Sequence, residues 1–225
     1  MCSSDLPATL RVPSLNYQRV LRDGLFYSVT VPIKKPGVYQ LRVALRDETS
    51  ERVGSASQFV EVPDFKNNRL TLSGIILRGV DQTSLRQAAP ENNPAISTLS
   101  ATAQNGEGEI INPGNSAAVR QFQHGQVVQY GFAVYNARPD KATSQPQVQI
   151  QIRLFRNGQP LSAATALPLN LDHQEDLKRL TVTGGMRLGS DLTPGEYVLQ
   201  VIATDPLADE KHRIATQWID FEIVK

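Results

Sequence analysis

Cysteine is almost missing from this 225-residue chain: Cys2 is the single example. That excludes an internal disulfide and any cysteine-built metal cage, while leaving the redox compartment undecided. A charge excess is missing too. Against 23 Lys and Arg stand 22 Asp and Glu, a formal net charge of +1, so no basic field gathers phosphates and nucleic acid is set aside as a partner. No apolar run approaches the roughly 20 residues a membrane-crossing helix needs. The longest are strand-length, such as Gly74 to Leu77, so no membrane span is expected in this segment.

Histidine is scarce as well, at three residues. A nucleophile–histidine–acid centre needs an imidazole between its partners, often with the serine on a Gly-bounded turn. His124, His173 and His212 have no Gly-x-Ser-x-Gly beside them, sit in polar stretches, and lack any zinc spacing. They are read as surface histidines, and the chain as no enzyme, with no catalytic residue, cofactor or metal. Gly106-Glu107-Gly108 has neither the strand before it nor the helix after it that a phosphate cradle requires, and is read as a loop.

What is present is period-two alternation. Tyr39, Leu41, Val43 and Leu45 share one strand face, with Gln40, Arg42 and Arg46 on the other. Val148, Ile150, Ile152 and Leu154 repeat the pattern against Gln147, Gln149, Gln151 and Arg153, and Asn157-Gly158 then suits a tight hairpin turn. Further strands are expected over residues 25–31, 70–77, 127–135, 180–183, 198–204 and 217–224. Helical spacing is hard to find, so the expected class is all-β.

An internal repeat dominates the sequence. PGVYQLRVALRD (36–47) matches PGEYVLQVIATD (194–205) without a gap at Pro, Gly, Tyr, Leu, Val and Asp. After a one-residue difference in the intervening turn the likeness resumes, with ASQFVEV (56–62) facing ATQWIDF (215–221). Length change confined to a turn between two strands marks a hairpin. Each copy is expected to supply the last two strands of one domain.

Pro-Gly-x-Tyr leading into an alternating strand resembles the turn before the penultimate strand of bacterial immunoglobulin-like and fibronectin-like modules. The resemblance implies a tyrosine corner, with a hydroxyl bonding back to nearby backbone, at Tyr39 and Tyr197. Pro36, Gly37, Pro194 and Gly195 shape the two turns. The expected architecture is two such β-sandwich modules, the first truncated at its N-terminus. Residues 1–6 (MCSSDL), read back into codons with a GTG start, match the end of a widely used sequencing adapter and are taken as an artefact. Residues 7–63 are the partial module, 64–69 a linker, and 70–225 a sandwich with a long polar insertion at 79–122. Strands without partners leave open edges, so 7–63 is expected to be less stable than 70–225.

The segments RVGSASQFVEVPD (52–64), RLTLSGIIL (69–77), AVRQFQHGQVVQYGFAVYNA (118–137) and LTPGEYVLQVIATDP (192–206) are similar to the region following the A domain in bacterial VWFA-related (von Willebrand factor A domain-containing) proteins. The likeness implies a secreted, periplasmic or cell-envelope protein with an upstream metal-dependent A domain, whose Asp-x-Ser-x-Ser does not occur here. It implies a structural or protein-interaction role, the partner being an envelope protein or that A domain. A carbohydrate-binding accessory module is the alternative, since Trp218, Tyr130 and Tyr135 could form a stacking platform. Because Trp218 aligns with Phe59, sheet packing is the expected place of both. Asp205, Asp209 and Glu210, like Asp47, Glu48 and Glu51, are read as solvated turns without the spacing of a calcium loop.

Overall fold

The computed structural model describes residues 9, 11–23, 30–80, 116–172 and 174–225. Among the described residues the architecture is all-β apart from one helix, α1 (Ser14–Asp23), and a single 3-10 turn at Phe65–Asn67. Strands β1 (Gly37–Arg46) and β2 (Val53–Val62) form a two-stranded antiparallel sheet. The remaining strands are β3 (Thr71–Leu72), β4 (Ile76–Val80), β5 (Gln121–Gln123), β6 (Val127–Tyr135), β7 (Gln149–Arg156), β8 (Gln159–Ala163), β9 (Leu167–Pro168), β10 (Arg179–Arg187), β11 (Gly195–Thr204) and β12 (Ile214–Val224).

They build two sheets. The smaller runs β10-β6-β3 with β4 also on β6, and the larger runs β5-β12-β11-β7-β8 with β9 also on β7. A short first-edge strand on one sheet, with a parallel β5 on the last strand of the other, is the order of an immunoglobulin-type sandwich. Between the sheets lies one core. Leu77, Val128, Val134 and Leu180 come from the smaller sheet, and Phe122, Leu199, Val201 and Ile223 from the larger, all fully buried. Alternation explains the choice, since every second residue of β11 points inward.

The sequence expectations meet this architecture unevenly. Residues 127–135 coincide with β6, and Asn157 and Gly158 turn at φ of 50° and 74°, as a two-residue hairpin requires. The strand expected over 70–77 is two strands, because Ser73 breaks it: its Oγ donates to Gly74 O and accepts from Ala133 N–H. Residues 25–31 hold no strand at Thr30 and Val31, and 24–29 lie outside the described residues, as do Cys2, His173 and Gly106-Glu107-Gly108. Helix α1 was not expected at all. The insertion expected over 79–122 is shorter at both ends, since Gly79 and Val80 finish β4 and Phe122, fully buried, pairs in β5; residues 81–115 lie outside the described residues.

The turn of the repeat also needs correction. In register, Tyr39 opposes Val60 whereas Tyr197 opposes Phe221, so the connecting turns are six residues (47–52) and nine (205–213) long. The difference is three residues rather than one. A two-residue slip preserves which face each side chain occupies, which is why the sequence match looked sound.

Residues 64–69 do more than connect. Asp64 accepts the Lys66 N–H at 3.0 Å, Asn136 Nδ2 donates to Phe65 O and Arg69 O, and the Phe65 ring lies 4.6 Å from that of Tyr135. The segment is thereby fastened to the end of β6.

A glycine permits close packing near the middle of the smaller sheet. Gly184 of β10 opposes Tyr130 of β6, and a methyl group there would run into the Tyr130 hydroxyl and ring. Burial holds the Tyr130 hydroxyl above its ordinary pKa, as expected for a phenol packed under a sheet. Gly184→Ala is expected to destabilise by about 1–3 kcal/mol through overpacking. Gly185→Ala, whose methyl would make ordinary contact with Val127, should change little. Urea unfolding of the two variants checks the contrast.

Candidate functional site

The six motif residues build one device twice. Gly37 and Gly195 have φ of 144° and 139°, conformations that L side chains rarely adopt. Two residues on, the Tyr39 hydroxyl donates to Lys35 O at 2.7 Å and the Tyr197 hydroxyl to Thr193 O at 2.6 Å. Pro36 and Pro194 precede each glycine. The surroundings differ: Tyr197 is 1% exposed, stacked 5.6 Å from Phe221 with the Arg156 guanidinium 5.3 Å above its ring, whereas Tyr39 is only half-buried in the open hairpin. Arg156 also donates to Thr193 Oγ1 and Pro194 O, tying the β7–β8 turn to the strand entrance. These contacts position backbone and leave no reactive group free.

The aromatic candidates do not come together. Tyr130 packs against the core beside Phe132, Tyr135 lies with Phe65, and both belong to the smaller sheet. Trp218 stands on β12 of the larger sheet and faces outward, 62% exposed; Phe59 is 71% exposed. The expectation that both are packing residues is overturned. Each has the parity of the outer face, so nothing covers it among the described residues.

Around Trp218 the outer face of the larger sheet is concave, a hollow of about 750 Å³. Cross-strand register arranges it in rows. Trp218 opposes Gln200, Asp220 opposes Val198 with Phe155 beyond it, and Glu222 opposes Glu196. A slip in the β7–β8 pairing at Leu154/Phe155 marks a bulge beside the hollow, the kind of irregularity that re-aims a side chain. Sequence reasoning missed Phe155, Val198 and Gln200. The available clue was apolar residues in the polar phase, since Phe155, Val198 and Trp218 break the outward Gln149, Gln151, Arg153 pattern.

Two features of this face are unfavourable for folding alone. Glu196 directly opposite Glu222 is a like-charge pair, destabilising in an isolated sheet. Gln200 Oε1 is buried without a hydrogen-bond partner, a cost of about 1–3 kcal/mol. Other groups here are tied down: Glu222 accepts from Gln121 Nε2 at 2.9 Å, and Arg120 donates to Asp220 O at 2.8 Å and Asp220 Oδ2 at 3.1 Å.

Desolvation, the largest single influence, opposes ionisation of Asp220, but the side-chain bond from Arg120, the backbone bond at Asp220 and the Arg120 charge together outweigh it and hold the carboxyl below its ordinary value. The sign follows from linkage. A depressed carboxylate pKa contributes stability that is complete above the unfolded value and is lost as pH falls through the folded one. Acidification through that range is therefore expected to free Arg120 and lower the protection of the Glu222 amide relative to its intrinsic exchange rate, since that N–H donates to Arg120 O at 2.9 Å. Arg120→Gln should remove the pH step in exchange at Glu222.

The histidines and acids form no centre. His124 and His212 are exposed in turns, and no group of three His, Cys, Asp or Glu able to hold a metal occurs among the described residues. The solvated reading of the second turn fails at Asp205, which is fully buried. Its carboxylate accepts Arg138 N–H at 2.7 Å and Leu207 N–H at 2.9 Å. Asp209 pairs with Arg138 at 3.1 Å and Glu210 lies 3.8 Å from Arg213. In the first copy, Asp47 stays exposed and accepts from Thr49 N–H and Ser50 Oγ.

No protein-family model and no curated protein sequence matches the chain. Among solved structures, the C-terminal domain of wzt is similar at a TM-score of 0.32 and 12% identity, covering 47% of this chain and 64% of that one. The Pseudomonas fluorescens alkylpurine DNA glycosylase AlkC, bound to DNA containing an abasic site analog, gives a TM-score of 0.30 and 12% identity over 47% of this chain and 28% of that one. The chain spans less than two thirds of either structure. At such TM-scores neither likeness bears on what the protein does.

Proposed function

We propose that this chain is a non-enzymatic binding module of an exported bacterial envelope protein of the VWFA-related kind, engaging its ligand through the outer face of the larger sheet. The observation that carries the reading is Trp218, a large aromatic exposed in mid-strand beside Phe155, Val198 and an unpartnered amide. Its mechanism is geometric: a rigid sandwich holds a preformed surface, and binding needs little rearrangement. The tyrosine corners, including Pro36, Gly37, Pro194 and Gly195, serve as scaffold.

Two occupants suit such a face, a protein of the envelope or upstream A domain, and a carbohydrate. The exposed indole within a polar surround favours carbohydrate. The purified chain is expected to be retained on immobilised bacterial envelope material and Trp218→Ala to lose that retention. Retention unaffected by Trp218→Ala, or turnover of ester, peptide or glycoside substrates by metal-free protein, would sink the proposal.

A further inference from the structure

We infer that the hollow over β7, β11 and β12 is a subsite for a neutral saccharide chain, built on Trp218, Phe155, Val198, Gln200 and Glu196; this rests on the binding-module reading above. Glu196, Asp220 and Glu222 line the hollow with Arg156, and Arg120 pairs with Asp220, which leaves one formal negative charge in excess. Anionic glycans and phosphate-bearing polymers find no net counter-charge on such a surface.

Backbone comes next. The three strands under the hollow are interior to the sheet: β12 is paired by β5 and β11, β11 by β12 and β7, and β7 by β11, β8 and β9. An extended peptide therefore finds no open edge to pair with at this place, and loses the main-chain bonds that give strand addition its affinity. A pyranose needs none. Its C–H face lies on an indole, and its hydroxyls pair with amides and carboxylates, which each offer acceptors for O–H donors.

Available polar groups complete the case. Asp220 and Glu222 are held by Arg120 and Gln121, while Gln200 Oε1 has no partner and Glu196 stands exposed opposite Glu222. A hydroxyl donor at the Glu196–Glu222 row would separate two like charges, and a second one further along β11, beside Trp218, would satisfy Gln200 Oε1 once that side chain turns toward the hollow. The volume, about 750 Å³, falls within the usual range for small-ligand sites.

Trp218 is the only tryptophan of the chain, so intrinsic emission reports on this face alone. The test titrates the whole chain with soluble mixed-linkage β-glucan, galactomannan and arabinoxylan as neutral chains, polygalacturonate as the anionic one and oligo-arginine as a cationic peptide. At least one neutral chain is expected to shift or quench the emission, with an affinity unchanged by added salt. By calorimetry, Trp218→Ala and Gln200→Leu should each weaken that binding roughly tenfold or more. Phe59→Ala, an exposed aromatic on the other hairpin, should leave it unchanged. Trp218→Phe, retaining a ring, should bind with intermediate affinity, and covers the case in which Trp218→Ala folds poorly. Silence toward all three neutral chains, or salt-sensitive binding of oligo-arginine alone, overturns the saccharide inference. If envelope retention still depends on Trp218 in that case, the binding-module reading stands without it. If retention is indifferent to Trp218, both fall.

Discussion

Leu199→Ala is expected to destabilise the sandwich by about 2–5 kcal/mol, while Leu41→Ala, the same position of the repeat, should cost under about 1 kcal/mol. Leu199 is fully buried between the sheets, opposite Ile219 and beside Leu154, and truncation leaves a cavity that rigid strands cannot close. Leu41 is 44% exposed on a two-stranded sheet, where the lost methyl groups already touch water. Thermal unfolding followed by circular dichroism should show a drop of several degrees for Leu199→Ala, about 2–4 °C per kcal/mol at this chain length. Limited proteolysis gives the companion result. Cleavage is expected first within the β1–β2 hairpin and last within β11–β12, because local opening is cheap where few apolar groups are covered. Early loss of β11–β12, or equal costs for the two leucine variants, would mean that the hairpins are covered alike.

The second large effect is expected at Asp205. Asp205→Ala removes a fully buried carboxylate and strands the amide hydrogens of Arg138 and Leu207, for an expected loss of about 2–4 kcal/mol. Asp205→Asn should lose less, because its single amide oxygen still satisfies one N–H, while its own NH₂ meets the other donor. The corresponding Asp47→Ala should alter stability far less, since Asp47 is exposed and serves only its own turn through Thr49 and Ser50. Those bonds, Ser50 first and then Thr49, hold the Asp47 carboxyl below its ordinary value. Urea titration of the three variants, with exchange measured at Arg138, separates these outcomes. Equal losses at Asp47 and Asp205 would show that the aspartate acts locally in both copies.

Much of the fold was legible because sandwich strands write themselves in period two. Alternation at 148–154 placed β7, and the two tolerant residues Asn157-Gly158 placed its turn. The repeat located the β1–β2 and β11–β12 hairpins. What escaped was short. β5 is three residues long and owes its place to burial of Phe122 and a parallel pairing with β12, a contact between residues about a hundred positions apart. Helix α1 is short, and the strand read over 25–31 beside it drew attention away from the helical spacing of Tyr17, Val20 and Leu21. The slip in the β11–β12 alignment arose because letters were matched across a turn, whereas hydrogen-bond register counts from the strand itself.

The candidate site was less legible than the fold. Trp218 stands out in the sequence as the one tryptophan, yet its match to the bulky Phe59 points to packing rather than to an outward face. Both are outward, and bulk alone does not tell inside from outside when a residue sits in the polar phase of its strand. Tyr130 and Tyr135 looked equivalent to Trp218 in the sequence, yet belong to the other sheet.

By itself, the sequence determined the all-β class, the two matched hairpins with their tyrosines, and the lack of any local catalytic or metal motif, because these follow from spacing along a single chain. Tertiary structure alone decided which copy of the repeat acquires a core, which aspartate is buried, and that Trp218, Gln200 and Phe155 line one hollow. Those properties depend on which strands lie side by side and which sheet covers which face, and distant pairing of that kind leaves no mark in the local order of residues.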